Sequence, residues 1–207
     1  MNPSEQSMGK SQFHAGAPPG RPVPPALNIE LFSNYARQLY DLYAVDAILS
    51  SCSTMNRAFG AVQAVKQPYG MPVVPIDEAM MEEAVSMNGR VLVIATHGPT
   101  LNSTQWLLQE TADRLGKRVA FAGATVEMEF EVLGEGKTEA YNALIANTIR
   151  EVQTLESVEV VLAQLSMSVF NFSYPDPVAA FCIPMLNSGE TGFRRVGEVL
   201  RQVNPPH

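Results

Sequence analysis

Val45-Asp46-Ala47-Ile48-Leu49-Ser50-Ser51-Cys52-Ser53-Thr54-Met55-Asn56 reads as a short apolar strand that runs into small polar residues around one cysteine. A helical pattern at 57–66 follows at once. Open α/β sheets hold anionic ligands in such loops, between the carboxyl end of a strand and the N-terminus of a helix. The same position lowers a thiol's pKa and makes it reactive. Cys52 is therefore the first candidate for chemistry, weighed against the commoner role of a cysteine at a strand end as small buried packing.

Outward from that stretch, apolar β-branched runs alternate with helical patterns. Strands are expected at 47–51, 72–76, 90–95, 118–122, 158–163 and 183–186, and helices at 28–43, 57–66, 78–87, 103–115, 138–155 and 190–203. The run 127–133 fits either helix or loop. Strands that are apolar throughout suit a parallel sheet covered on both faces. Their alternation with helices implies right-handed βαβ units. Residues 1–25 stand apart: Gly, Pro, Ser and Gln dominate, and Pro18-Pro19-Gly20-Arg21-Pro22-Val23-Pro24-Pro25 continues neither a helix nor a central strand. This segment is expected to be disordered or extended. A helix is expected from Asn28, an N-cap by residue type, with Leu31, Tyr35, Leu39 and Leu42 as its apolar stripe.

The 207 residues, 46% of them hydrophobic, suffice for one good core or two small lobes. A net charge of −7 with only 14 scattered Lys and Arg residues argues against a nucleic-acid partner, which needs a basic patch or stripe. No apolar run approaches the length of a membrane span, and the first residues lack the apolar core of a secretory signal. Cys52 and Cys182, far apart in the chain, make no disulfide framework, so a reducing cytoplasm is the expected location. Two decoys fall away. Gly134-Glu135-Gly136-Lys137-Thr138 has Glu131 where a phosphate-binding loop needs its first glycine, and Met80, Met81 and Met87 follow a helical face as core residues do.

An internal repeat decides the domain organisation. A shift of 112 residues places Cys52 on Gln164 and Ala47-Ile48-Leu49 on Glu159-Val160-Val161. It also places Met55 on Met167, Pro72-Val73-Val74 on Pro184-Met185-Leu186, and Glu78 on Glu190. No gap is needed. The strand at 90–95, the loop Thr96-His97-Gly98-Pro99-Thr100 and the helix and strand after it have no mate in the first half. The expected fold is α/β with two pseudo-symmetric parallel-sheet lobes and the site between them, the first lobe lacking its opening β-α-β unit. The division expected is a Pro-rich tail at 1–26, a first lobe from 27–88 plus 184–203, and a second lobe at 89–183. A sheet short of strands leaves an edge that needs covering, by the tail or by a second copy, so self-association is expected.

With these residues laid out, the chain resembles the aspartate/glutamate/hydantoin racemase superfamily over roughly Asn28 to Val203. The resemblance rests on Cys52-Ser53-Thr54, on Ile94-Ala95-Thr96-His97-Gly98-Pro99-Thr100, on Val161-Leu162-Ala163-Gln164-Leu165-Ser166-Met167 and on Pro184-Met185-Leu186-Asn187-Ser188. It implies two α/β lobes that enclose a small carboxylate substrate, with no cofactor. It further implies a cysteine from each lobe flanking the α-carbon, one removing a proton while the other delivers one. A proton next to a carboxylate is weakly acidic, so oriented donors in a dry pocket must hold the carbanion. Ser51, Ser53 and Thr54 from one half, with Thr96, Gly98, Thr100 and Ser166 from the other, are the expected substrate-binding set.

The sequence departs from the two-cysteine pattern at one place. The second cysteine falls on Gln164, whose amide binds oxygen atoms but does not exchange protons as a thiol does. Cys182 stands at the entry to its strand rather than the exit and reads as packing. His97, in the loop after a strand, is a candidate acid or base opposite Cys52, against the plain alternative of a loop histidine. The expectation is an isomerase-type enzyme acting beside the carboxylate of a small acid through the single thiol of Cys52. A relative that binds small acids without turnover, and a one-cysteine decarboxylase or cis–trans isomerase, are the alternatives.

Overall fold

The structure is a computed structural model, and it describes residues 13–56, 70–87, 89–126, 136–155 and 157–203. The helix expected at 57–66 and the run 127–133 lie outside the described residues. Within them two sheets form. The larger has the order β1 (His14–Ala15), β5 (Ala120–Thr125), β4 (Arg90–Ala95), β6 (Val158–Leu162), β7 (Met185–Asn187). All its neighbours are parallel except β1, which lies antiparallel on the outer edge of β5. The smaller sheet pairs β2 (Ile48–Ser50) with β3 (Val73–Pro75), again parallel.

The central strand β4 is buried from Val91 to Ala95, which is why its sequence is an unbroken apolar run rather than an alternating one. Its even-numbered side chains, Leu92 and Ile94, join Val160 and Leu162 of β6 in one apolar layer. Helix α5 (Thr138–Val152) closes that layer with Tyr141, Ile145, Ile149 and Val152, spaced to fall on one helical face. The odd-numbered side chains, Val91, Val93 and Ala95, join Val161 and Ala163 on the other face. There α3 (Glu78–Ser86) and α4 (Gly98–Arg114) cover them with Met80, Met81, Ala84, Leu108 and Ala112. Met80 and Met81 are fully buried core, as their spacing implied, whereas Met87, at the C-cap after α3, is exposed and is not core.

The 112-residue repeat is written into the strand register. Ile48 pairs with Val73, Leu49 with Val74 and Ser50 with Pro75. In the large sheet Val160 pairs with Met185, Val161 with Leu186 and Leu162 with Asn187, and each pair is the first set moved by the same shift. Backbone turns repeat as well. Met55 N–H donates to the Cys52 carbonyl at 3.0 Å, and Met167 N–H donates to the Gln164 carbonyl at 2.9 Å. Cys52 and Gln164 therefore hold one structural position in two copies of one unit. The second copy carries β4, α4 and β5 in addition, so four parallel strands stand against two.

Several boundaries differ from the sequence-based expectation. The tail is not wholly irregular: His14–Ala15 pairs with Phe121 and Ala120, so residues of the Pro-rich segment cover the outer edge of the large sheet. Helix α1 (Ala26–Tyr43) begins before Asn28, and Pro25 takes the cap position, because proline's fixed φ suits a helix entrance. Helix α4 starts at Gly98 rather than 103. His97 is its extended N-cap and Pro99 sits in the first turn, where a missing N–H costs nothing. The segment 184–203 divides between the sheets. Met185–Asn187 pairs with β6, while α8 (Ser188–Val203) reaches back over the small sheet. Gly192 is the point of contact: a Cβ there would lie 2.5 Å from Ile76 Cγ1 and 2.6 Å from the Ile76 carbonyl oxygen.

Candidate active site

The carboxyl ends of β2, β4 and β6 carry nearly all the polar residues singled out from the sequence. Cys52 stands two residues beyond β2 with its thiol side exposed, and Ser51 beside it is exposed as well. A four-residue helix, α2 (Ser53–Asn56), follows at once and packs against α4. Ser53 Oγ donates to the Ala163 carbonyl at 3.2 Å. That bond joins the residue after Cys52 to the residue before Gln164, tying the two repeat-equivalent strand-end loops together. Thr54 lies within α2.

A second set of bonds fixes the side chain of Gln164. Thr96 N–H donates to Gln164 Oε1 at 2.8 Å, and Thr96 Oγ1 donates to the same oxygen, also at 2.8 Å. A backbone N–H can only donate, so the atom facing it must be the amide oxygen. The NH₂ group of Gln164 is thereby turned the other way, and it has no partner among the described residues.

The same logic runs on to His97. The single hydroxyl hydrogen of Thr96 is committed to Gln164, so Thr96 Oγ1 accepts from His97 Nδ1, 3.1 Å away. In the neutral ring Nε2 then accepts from Thr100 Oγ1 at 2.8 Å. Thr100, His97, Thr96 and Gln164 form one directed chain of hydrogen bonds that ends on the carboxamide. Thr96 and Thr100 are buried, whereas the imidazole of His97 is exposed. Both ring nitrogens of His97 are engaged by threonine hydroxyls, and Thr96 links the ring to Gln164. Gly98 and Thr100 belong to the first turn of α4 and not to a free loop.

The remaining expected residues separate from this group. Ser166 lies in a short 3-10 turn (Leu165–Val169), where its neighbour is the hydroxyl of Tyr141 on α5. Burial pushes the Tyr141 hydroxyl up to about 12, and Ser166 moderates the rise at a geometry short of a full hydrogen bond. Cys182 is exposed in a left-handed C-cap with φ of 56°, so it is not the buried packing expected from its place before a strand.

Two groups escaped the sequence reading. Asn187, at the end of β7, accepts from Ser168 Oγ at 3.1 Å and from Glu190 N–H at 2.9 Å, which caps α8 and ties it to the 3-10 turn. The signal was present, since Asn at a strand end before a helix is a cap by type. Ser50 Oγ and Ser188 Oγ are buried without a partner among the described residues. Ser50 ends β2 and Ser188 opens α8 directly after β7, and nothing in a lone serine reveals such burial. Among the described residues no three His, Cys, Asp or Glu side chains gather as metal ligands, and no helix is long and apolar enough to cross a membrane.

Comparison with known proteins fits this geometry. The family model for Asp/Glu/hydantoin racemase matches residues 32–173, which is more than half of the chain. The chain belongs to the Asp/Glu/hydantoin racemase family. Solved structures share the fold of this family member at low identity. A glutamate racemase isoform from Bacillus anthracis superimposes with a TM-score of 0.59 at 11% identity, over 87% of this chain and 67% of that one. A glutamate racemase from Thermus thermophilus in complex with β-chloro-D-alanine gives 0.56 at 15%, over 91% and 70%. Unliganded arylmalonate decarboxylase gives 0.59 at 12%, over 90% and 80%. No curated protein sequence matches.

Proposed function

We propose that this racemase-family member is a cofactor-independent enzyme that moves a proton at the carbon beside the carboxylate of a small acid, with Cys52 as its single acid-base thiol. The observation that carries the reading is the asymmetric pair at the repeat-equivalent positions: a thiol at Cys52 and, at Gln164, an amide whose oxygen is held by Thr96 and whose NH₂ has no partner among the described residues.

The chemistry follows from those two groups. The Cys52 thiolate takes the α-hydrogen as a proton, and the bonding pair passes into the carboxylate to form an enediolate. The NH₂ of Gln164 donates to an enediolate oxygen, a bond that strengthens as charge develops there. The same thiol then returns the proton to carbon. Because only one face of the substrate meets a thiol, the α-hydrogen exchanges with solvent faster than the centre inverts.

Gln164 also favours a second reading, decarboxylation of an acid with two carboxylates on one carbon. The bond from carbon to carboxylate breaks, carbon dioxide leaves, and the pair is held as the same enediolate. The Cys52 thiol then delivers its proton to one face and regains one from water. A one-thiol site gives a product of one hand.

The test is incubation in D₂O with a panel of amino acids, small diacids and substituted malonates, followed by proton NMR and chiral chromatography. Exchange or decarboxylation that disappears in Cys52→Ala supports the reading. Turnover that survives in Cys52→Ala overturns it. A protein that changes nothing on the panel, yet shields Cys52 from iodoacetamide when a small acid is added, is a binding relative, and the enzymatic reading fails.

A further inference from the structure

Helix α1 carries an apolar ridge that nothing among the described residues covers. Leu27, Leu31, Tyr35, Leu39 and Tyr43 recur every fourth residue, and each is between 39% and 71% exposed. Leu42 lies beside the ridge and is equally open. The helix is held to the small sheet by other residues, chiefly Ala36 with the partly buried Phe32.

The internal repeat supplies a control within the molecule. Helix α5 is the counterpart of α1, and the ridge positions fall there on Glu139, Ala143, Asn147, Glu151 and Leu155. The first four are exposed, and three of them are polar, as a water-facing helix requires. The same face of the same unit is therefore written for water in one copy and for burial in the other. By their exposed fractions these α1 residues offer roughly 700 Å² of surface, most of it apolar, beyond the largest patch of an ordinary monomer and approaching one partner's share of a standard interface.

We propose that α1 packs against α1 of a second copy of this chain about a two-fold axis near Tyr35. The shape of the ridge selects this occupant. A row of side chains every four residues packs into the matching groove of an identical helix at about −50°, the commonest class of helix packing. A two-fold axis makes such a surface self-complementary. Leu31, Tyr35 and Leu39 lie at the crossing, and tyrosine there supplies the rigid, amphipathic contact that interfaces favour. A membrane surface fits less well. An interfacial helix binds anionic lipid through basic residues on its polar face, and α1 has one arginine, Arg37, against Glu30 and Asp41.

The experiment is light scattering with size exclusion on the full chain between 5 and 100 µM (about the range in which an interface of this size associates). The expected mass is about twice 22.5 kDa, halving in Tyr35→Glu and in Leu31→Glu, with the melting curve retained because both positions are exposed. In a Cys52→Ser, Cys182→Ser background, Tyr35→Cys is expected to form an intermolecular disulfide under mild oxidation, which identifies the contact even if the charged variants fold poorly. A wild-type monomer across this range overturns the proposal, and one that also sediments with phosphatidylglycerol vesicles assigns the ridge to lipid. A dimer unchanged by both charged variants, or one in which Tyr35→Cys fails to cross-link, places the contact elsewhere and overturns it equally.

Discussion

Replacing Glu159 by glutamine isolates the cost of one buried carboxyl group. Glu159 is 2% exposed on β6, and neither of its oxygens has a hydrogen-bond partner among the described residues. The period-two alternation of the strand puts it on the face shared by Val91 and Val161, an apolar layer. Desolvation there raises its pKa from 4.5 to about 8. A carboxyl raised in the folded state leaves stability intact below pH 4.5 and removes it as pH climbs through the native value. Each unit of separation is worth about 1.4 kcal/mol, so the folded state loses roughly 3 kcal/mol by pH 7 and approaches roughly 5 kcal/mol above pH 8. Glutamine is just as polar and as poorly partnered but does not ionise, so Glu159→Gln keeps the neutral cost and removes the pH-dependent one. Urea denaturation at pH 5, 7 and 9 reads the difference directly. The two proteins should unfold at similar urea concentrations near pH 5, and the variant should gain steadily with pH. A difference that stays constant from pH 5 to 9 would refute the reasoning, since it would mean Glu159 ionises in the fold as freely as in water.

The remaining predictions concern the site and the seam between sheets. Cys52→Ala should lower α-proton exchange in D₂O by about 10²- to 10⁴-fold, the usual contribution of a positioned acid or base. Gln164→Ala should cost about 10²- to 10³-fold in kcat, as the loss of one preorganised donor does. Gln164→Cys, which places a thiol at the repeat-equivalent position, should raise inversion relative to exchange; chiral chromatography alongside NMR gives that ratio, and an unchanged ratio would count against a substrate lying between residues 52 and 164. Thr96→Val leaves the backbone N–H on Gln164 but deletes the hydroxyl bond, and kcat should fall by roughly 10-fold. Gly192→Ala should destabilise by about 1–3 kcal/mol in urea titration, because its Cβ meets the Ile76 backbone carbonyl as well as the Ile76 side chain, and the backbone cannot move aside.

Sequence alone determined the alternation of strands and helices, the two copies of one unit, and the position of the thiol to which the proposed chemistry is assigned. Those features are local. An apolar run of five residues between turn signals is legible without its neighbours, and a repeat is legible because both copies solve the same packing problem. The shift that matched Cys52 with Gln164 was visible in a few identities, and the pairing of Ile48 with Val73 and of Val160 with Met185 bears it out in three dimensions. Family membership was legible for the same reason, in short segments that follow strands.

Tertiary structure decided what those residues face. Nothing in Thr96-His97-Gly98-Pro99-Thr100 shows that Gly98 opens a helix, or that His97 is joined on both nitrogens to threonines. The direction of the Gln164 amide depends on a backbone N–H 68 residues away in the chain, a relation with no local signature. Likewise His14–Ala15 becomes a strand only because β5 offers an unpaired edge. Burial of Glu159 and exposure of the α1 ridge run against residue type in opposite senses, and both are set by which surfaces the sheets leave over. Composition and periodicity fix the elements; the partner across each face is a property of the whole fold.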